Sequence, residues 1–182
     1  MIIFENKFIN MEISDRDVLV IKIISNECID NEYISESIDS MIEAIRNTYY
    51  SYQKLQKKLC LLFNATELNQ ILPISCVWRV AQFFSSTKHL TEEVIIGSSI
   101  VTSSNIIITL VNTFSTFYKN VKPMKFTKEL DEGLKFLYDL KNQDNDSNAE
   151  ATDELNSVSD IQLTKDDVDK VINDYNIENK SN

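Results

Sequence analysis

The feature that most limits what this chain can fold into is a regular exchange between two kinds of segment. Short runs are apolar at nearly every residue, and longer stretches repeat apolar residues every three or four positions. Val18-Leu19-Val20-Ile21-Lys22-Ile23-Ile24 and Leu59-Cys60-Leu61-Leu62-Phe63 are of the first kind. Such runs suit strands covered on both faces. Between them Ile34, Ile38, Met41, Ile42, Ile45, Tyr49 and Tyr52 form one stripe at helical spacing. Glu36, Asp39, Glu43, Arg46 and Gln53 occupy the opposite side, and Asp30 stands where an N-cap belongs. Strand, helix and strand in this order predict a parallel pair joined by a right-handed crossover.

The exchange continues in both directions. Upstream, the β-rich stretches Ile2 to Ile13 and Val18 to Ile24 flank Ser14-Asp15-Arg16-Asp17, a turn composition, and predict a hairpin. Downstream, a loop from Asn64 to Leu72 runs into Pro73, which suits a helix start. Val77, Trp78, Ala81, Phe84 and Leu90 then trace a second amphipathic helix. Val94 to Val101 reads as a strand with Gly97 inside it. Ser103-Ser104-Asn105 caps a third helix, lined by Ile107, Leu110, Val111, Phe114, Phe117 and Tyr118. Val121 to Thr127 reads as a short edge strand. Glu129 to Leu140 reads as a closing helix with Leu130, Leu134, Leu137 and Tyr138 inward. The expected fold class is α/β, in the order ββαβαβαβα, with a mostly parallel sheet flanked by helices over residues 1–141.

From residue 142 the composition turns to Asn, Asp, Ser, Ala and Glu, with no apolar period before residue 161. Residues 142–182 therefore read as an acidic, largely disordered tail. Residues 143–182 hold 11 acids and 3 lysines, so this part contributes −8 of the formal net charge of −10. The remaining −2 belongs to the folded part, which carries no basic stripe, and nucleic-acid binding is disfavoured. Near the end, Thr164 precedes a narrow apolar face of Val168, Val171, Ile172 and Tyr175, joined by Ile161. An amphipathic segment on an acidic tether has the form of a docking motif. A segment that folds back on its own domain, or frays, is the plainer alternative.

The chemistry-bearing residues are few. Cys28, Cys60 and Cys76 form no CxxC pair and fit a reducing, cytoplasmic setting. The apolar runs fall well short of the roughly 20 residues of a transmembrane segment. His89 is the one histidine, so neither a zinc site nor a Ser-His-Asp arrangement finds its ligands, and no metal or cofactor is expected. Gly97 and Gly133 are the two glycines, too few for a phosphate-cradling loop. Glu92-Glu93 and Asp131-Glu132 are adjacent acids that diverge on a helix and read as solvated charge. No catalytic residue is assigned, and the chain is not expected to be an enzyme.

The element order, the ending Lys122-Pro123-Met124-Lys125-Phe126-Thr127 and the helix from Leu130 to Leu140 together resemble the SpoIIAA-like fold of STAS domains. CRAL-TRIO lipid-binding domains share that fold in elaborated form. The resemblance covers roughly residues 8–141. STAS-like proteins commonly end in a strand with Phe and an acidic helix with a Leu pair, as Phe126, Leu134 and Leu137 do here. Anti-sigma-factor antagonists of this fold carry an Asp-Ser-Ser-Gly-type motif, with a phosphorylated serine, before the second helix. The matching stretch here is Leu72-Pro73-Ile74-Ser75-Cys76, in which only Ser75 corresponds. Ser75 otherwise reads as a helix cap.

The resemblance implies a non-catalytic regulatory module that binds a protein partner through its helical face. Ser75, Trp78, Arg79 and Phe83 are the expected contacts, with Phe83 considered because it adjoins Phe84 and one of the two must face outward. The tail segment Val168, Val171, Ile172 and Tyr175 is a second expected contact, and homo-oligomerisation is a variant of the same reading. A small apolar-ligand carrier of CRAL-TRIO type is the alternative. It needs a cavity between the sheet and the helices.

Overall fold

This computed structural model describes residues 1–24, 29–68, 72–105, 107–109 and 122–147, the side chains of 145–147 excepted, and among these described residues ten elements have defined bounds. They are β1 (Ile2–Glu5), β2 (Ile9–Ile13), β3 (Val18–Ile23), α1 (Asn31–Lys54), β4 (Leu59–Asn64), α2 (Ile74–Ser86), α3 (Lys88–Val94), β5 (Ile95–Val101), β6 (Met124–Thr127) and α4 (Leu130–Ser147). The strands form one six-stranded sheet in the order β1-β2-β3-β4-β5-β6. β1, β2 and β3 pair antiparallel, and β3, β4, β5 and β6 pair parallel. The class is α/β, as expected, with a mixed sheet.

The N-terminal stretch corrects the sequence reading. Ile2 to Ile13 is two strands, because Asn6 bends the chain between them. Its side-chain oxygen accepts the backbone N–H groups of Phe8 at 2.8 Å and Ile9 at 2.7 Å, an Asx-type turn. The next turn falls at Ser14–Asp17. Ser14 Oγ accepts from Val18 N, and Asp17 takes a positive φ of 51°, a region that Asp tolerates better than most residues.

The parallel strands are buried on both sides, and their alternation sorts the core. Leu19, Ile21, Leu59 and Leu61 join Ile34, Ile38, Met41, Ile45 and Tyr49 of α1 in one cluster. Val18, Cys60 and Leu62 turn the other way and meet Leu137 of α4. Each fully buried aliphatic side chain stabilises the fold by about 1.5–3 kcal/mol. The stripe read from α1 is the buried one, Ile42 excepted at half-buried. Asp30 caps α1 as expected, accepting from Tyr33 N.

The second helix departs from its reading. It breaks at Thr87 into α2 and α3, and the Thr87 hydroxyl donates to Phe83 O at 2.7 Å. A threonine hydroxyl bonded to the fourth carbonyl back often bends a helix. Cys76 and Phe83 are the buried residues of α2, whereas Val77, Trp78, Ala81 and Phe84 are half-buried. Leu90 is buried in α3. For the third helix, Ser104 caps as read, taking Ile107 N on its hydroxyl at 3.5 Å and Ile108 N on its carbonyl at 3.2 Å. Leu110, Val111, Phe114, Phe117 and Tyr118, expected to line that helix, lie outside the described residues, as does Cys28.

The closing helix is longer than expected. α4 runs past residue 142 to Ser147, and Asp144 pairs with Lys58 at 2.8 Å. Leu137 is fully buried, Leu134 and Tyr138 are half-buried, and Leu130 is 40% exposed rather than inward. Residues 148–182, with the segment Val168, Val171, Ile172 and Tyr175, lie outside the described residues. No helix among the described residues is long and apolar enough to cross a membrane.

Candidate functional site

The four residues nominated on the second helix do not form one surface. Ser75 is exposed in the first turn of α2. It is not the cap, because that position falls on Pro73 and has no side-chain hydrogen bond. Trp78 is half-buried. Arg79 is half-buried and bonded within the fold: its guanidinium donates to Asp39 at 2.5 Å, to Ser35 Oγ at 2.8 Å and to Cys76 Sγ at 3.2 Å, tying α2 to α1. Phe83 is the inward member of its pair at 4% exposure, 6.3 Å from the Tyr49 ring. Adjacent helical residues diverge by about 100°, and the sequence alone does not say which one faces in. Of the four, Phe83 is buried, Ser75 is exposed, and Trp78 and Arg79 are half-buried.

A second surface was not singled out in the sequence. Beside α1, on the side toward β1, lies an open groove of about 880 Å3. One wall is a flank of α1: Ser40, Ala44, Asn47, Ser51 and Leu55. The other wall and floor come from Met1, Ile3 and Ile13 of the first two strands and their approach. Asp39 and Glu43 also line it, but each is held by an arginine, Arg79 and Arg46 respectively. Lys57 closes one end, next to Leu55, which is 63% exposed.

The groove exists because of what α1 presents there. Beside its large buried stripe the helix carries small side chains at helical spacing along the groove, Ser40, Ala44 and Ser51. That spacing was the available signal. It is weak, since small residues on a helix flank are ordinary surface as often as not.

The Lys57 end is the electrostatically organised one. Tyr52 lines the groove and donates its hydroxyl to Asp17 at 2.8 Å. Lys141 of α4 reaches the same carboxylate at 2.7 Å. Burial alone would raise the Asp17 carboxyl. The hydrogen bonds from Lys141 and Tyr52, with the charges of Lys141 and Lys57, outweigh it and hold Asp17 below the ordinary aspartate value. Burial and the neighbouring Asp17 push the Tyr52 phenol above its usual range, so Tyr52 stays a donor at any physiological pH. This network latches α4 and the β2–β3 turn to the end of α1.

Among the described residues no group of three or more His, Cys, Asp or Glu is placed to hold a metal ion. Cys60 is fully buried, its thiol pushed up to about 11 mainly by burial, and its Sγ lies 3.6 Å from Leu137 O. It is a core residue. Fold and groove together define an α/β domain with an open, mostly apolar groove beside α1. Comparison of the chain with protein-family models, with curated proteins and with solved structures returns no match.

Proposed function

We propose that the chain is a non-catalytic protein-interaction module of STAS-like type, whose groove receives an acidic amphipathic segment of a partner protein. The observation that carries this reading is the open groove between α1 and β1. It offers Ile3 and Ile13 on one side and Leu55 on the α1 side to apolar anchors, and the small residues of the α1 wall leave room for a backbone. A helix with its side chains is about 10–12 Å across, and an apolar face laid in a groove is a common recognition mode. Lys57, with Lys54 beside it in sequence, makes the Leu55 end cationic, which favours an acidic occupant. Exposed Ser75 and half-buried Trp78 on α2 extend the helical face available to a partner.

The STAS-like part of the reading is supported by the consecutive parallel order β3-β4-β5-β6 and by the ending, β6 with Phe126 followed by α4 with Leu134 and Leu137. The carrier alternative is less well supported. Ile21, Ile34, Ile45 and Tyr49 fill the space between the sheet and α1, and the groove opens at the sheet edge.

The test is a photo-crosslinking residue at Asn47, in the full chain expressed in its source cells, with an otherwise identical chain labelled at Asp139 on α4. Adducts from position 47 to an acidic amphipathic peptide of one protein, absent from position 139 and reduced by Ser40→Arg, are expected. Equal adducts from both positions, or a yield that Ser40→Arg leaves unchanged, would overturn the proposal.

A further inference from the structure

The two ends of the groove beside α1 carry opposite charge, and this limits what can fill it. Along α1 the lining runs from Asp39 and Glu43 to Leu55, with Lys57 beyond. Glu36, one turn before Ser40, is exposed at the first end, and Lys54 is exposed at the second. Asp39 and Glu43 each engage an arginine, yet both side chains stay 56% exposed. Apolar exposure gathers at the same place. Met1 and Ile2 at the β1 edge are 80% and 61% exposed, and Tyr50 and Leu55 on α1 are 48% and 63% exposed. Contiguous exposed apolar surface of this kind marks an interaction site.

We infer that the partner at this groove is a second copy of the chain, docked in the reverse direction about a two-fold axis perpendicular to the sheet. This rests on the groove being a docking surface, as proposed above, and names its occupant. The acidic amphipathic segment is α1 of the other copy, which carries Glu32, Glu36, Asp39 and Glu43 against Arg46 and Lys54. A two-fold axis presents the same patch from both sides, so the patch must complement itself. An antiparallel pair of α1 helices crossing between Ala44 and Asn47 meets that demand. It sets Ser40 of one copy opposite Ser51 of the other, Ala44 opposite Asn47, and Glu36 opposite Lys54, at both ends alike. A parallel pair would set acid against acid and lysine against lysine, which is disfavoured.

The shape agrees with the charge. β1 is an edge strand, hydrogen-bonded to β2 on its inner side, and an edge left open is a ready template for another chain. The same two-fold axis brings the two β1 edges together beneath the helix pair. Ile3 and Ile13 of each copy, which line the groove, then lie under the paired helices. Helix axes pack about 8–10 Å apart, and the small side chains of Ser40, Ala44 and Ser51 permit an approach at the near end of that range. Each α1 thus fills the groove beside the other. The shared face is about 22 Å long along α1 and two elements wide. That is small for an obligate dimer, so the association is of the weak, concentration-dependent kind.

The experiment is sedimentation of the full chain between roughly 1 and 500 µM, a range that brackets weak association. The mass should rise toward twice that of one chain and fall back in about 1 M salt, which screens the paired ends. Asn47→Arg places a like-charged, bulky side chain at the exposed centre of the face and should weaken dimerisation at least about ten-fold. Glu36→Lys should weaken it too, and adding Lys54→Glu to the same chain should restore it. Restoration by a charge exchange separates loss of the contact from loss of the fold. A mass that stays at one chain throughout would overturn the inference. So would a dimer that Asn47→Arg and Glu36→Lys both leave unchanged, since self-association would then lie elsewhere. In either case crosslinks from position 47 to a different protein would keep the groove as a docking surface, so the two readings fail separately.

Discussion

Gly133 of α4 lies directly over Ser99 of β5, so close that a Cβ added at the glycine would sit 2.8 Å from Ser99 Oγ, and 3.1 Å from Val101 Cγ2. The chain's other glycine, Gly97, faces the same helix, and an added Cβ there would collide with Leu140. Both glycines therefore serve one interface, the seating of α4 on the sheet. A glycine inside a helix costs about 1 kcal/mol relative to alanine, so its presence at position 133 needs a reason in packing.

Gly133→Ala is expected to destabilise the domain by about 1 kcal/mol net. Overpacking of about 1–3 kcal/mol outweighs the gain in helix propensity of about 1 kcal/mol. Pairing it with Ser99→Ala should recover part of the loss, because Ser99 Oγ is the nearest atom and is buried without a hydrogen-bond partner. Urea unfolding midpoints decide it. A more stable Gly133→Ala chain would mean that α4 does not sit this close.

Asp17 makes stability sensitive to acid. Its carboxyl is held below the ordinary value in the fold, so its contribution is complete above the unfolded-state value of about 3.9. That contribution is lost as pH falls through the lowered folded value. Asn also tolerates the positive φ found there, which lets Asp17→Asn remove charge with little backbone effect. The difference in Tm between wild type and Asp17→Asn should be present at pH 7 and shrink steadily in strong acid. A difference independent of pH would show that Asp17 acts only through turn geometry.

Arg79 is expected to matter for stability through Ser35 more than through Asp39. Asp39 is 56% exposed, and an ion pair at such a site is worth under about 1 kcal/mol. Both bonds to the half-buried Ser35 are made by Nη2, while Nη1 of the same guanidinium fork reaches Asp39. Arg79→Ala should therefore cost about 1–2 kcal/mol. Arg79→Lys should recover little of it, since one ammonium does not reproduce the fork. In double-mutant cycles the coupling to Ser35 should exceed that to Asp39, and the reverse order would contradict this placement.

Cys60 should be inert in the native protein. With its thiol near 11, the thiolate fraction at pH 8 is about one in a thousand, and the side chain has no exposure. Iodoacetamide followed by peptide mapping should leave Cys60 unmodified until urea unfolds the chain. Rapid native labelling would require α4 to open from the sheet.

The elements whose signal is local were legible from the residues. α1 was readable because Ile34, Ile38, Met41, Ile45, Tyr49 and Tyr52 repeat the helix period over many turns. β3 and β4 were readable because strands buried on both faces have no polar side to dilute the run. The split of Ile2 to Ile13 was missed because an Asn turn needs only one side chain to accept two N–H groups. The phase of α2 was missed by one residue at Phe83 and Phe84, where two neighbouring rings give no local reason to prefer either. The tie from Arg79 to Ser35 and Asp39 was not legible because those partners lie some forty residues away.

The sequence by itself determined the α/β class, the central strands, the principal helix and the acidic character of everything after residue 142. These are properties of period and composition, carried by neighbours along the chain. Only the tertiary structure decided that Phe83 faces inward, that Arg79 ties α2 to α1, that two glycines seat α4, and that a groove opens beside α1. Each depends on which surfaces meet across the sheet, and a contact between residues far apart leaves no periodic trace in either segment.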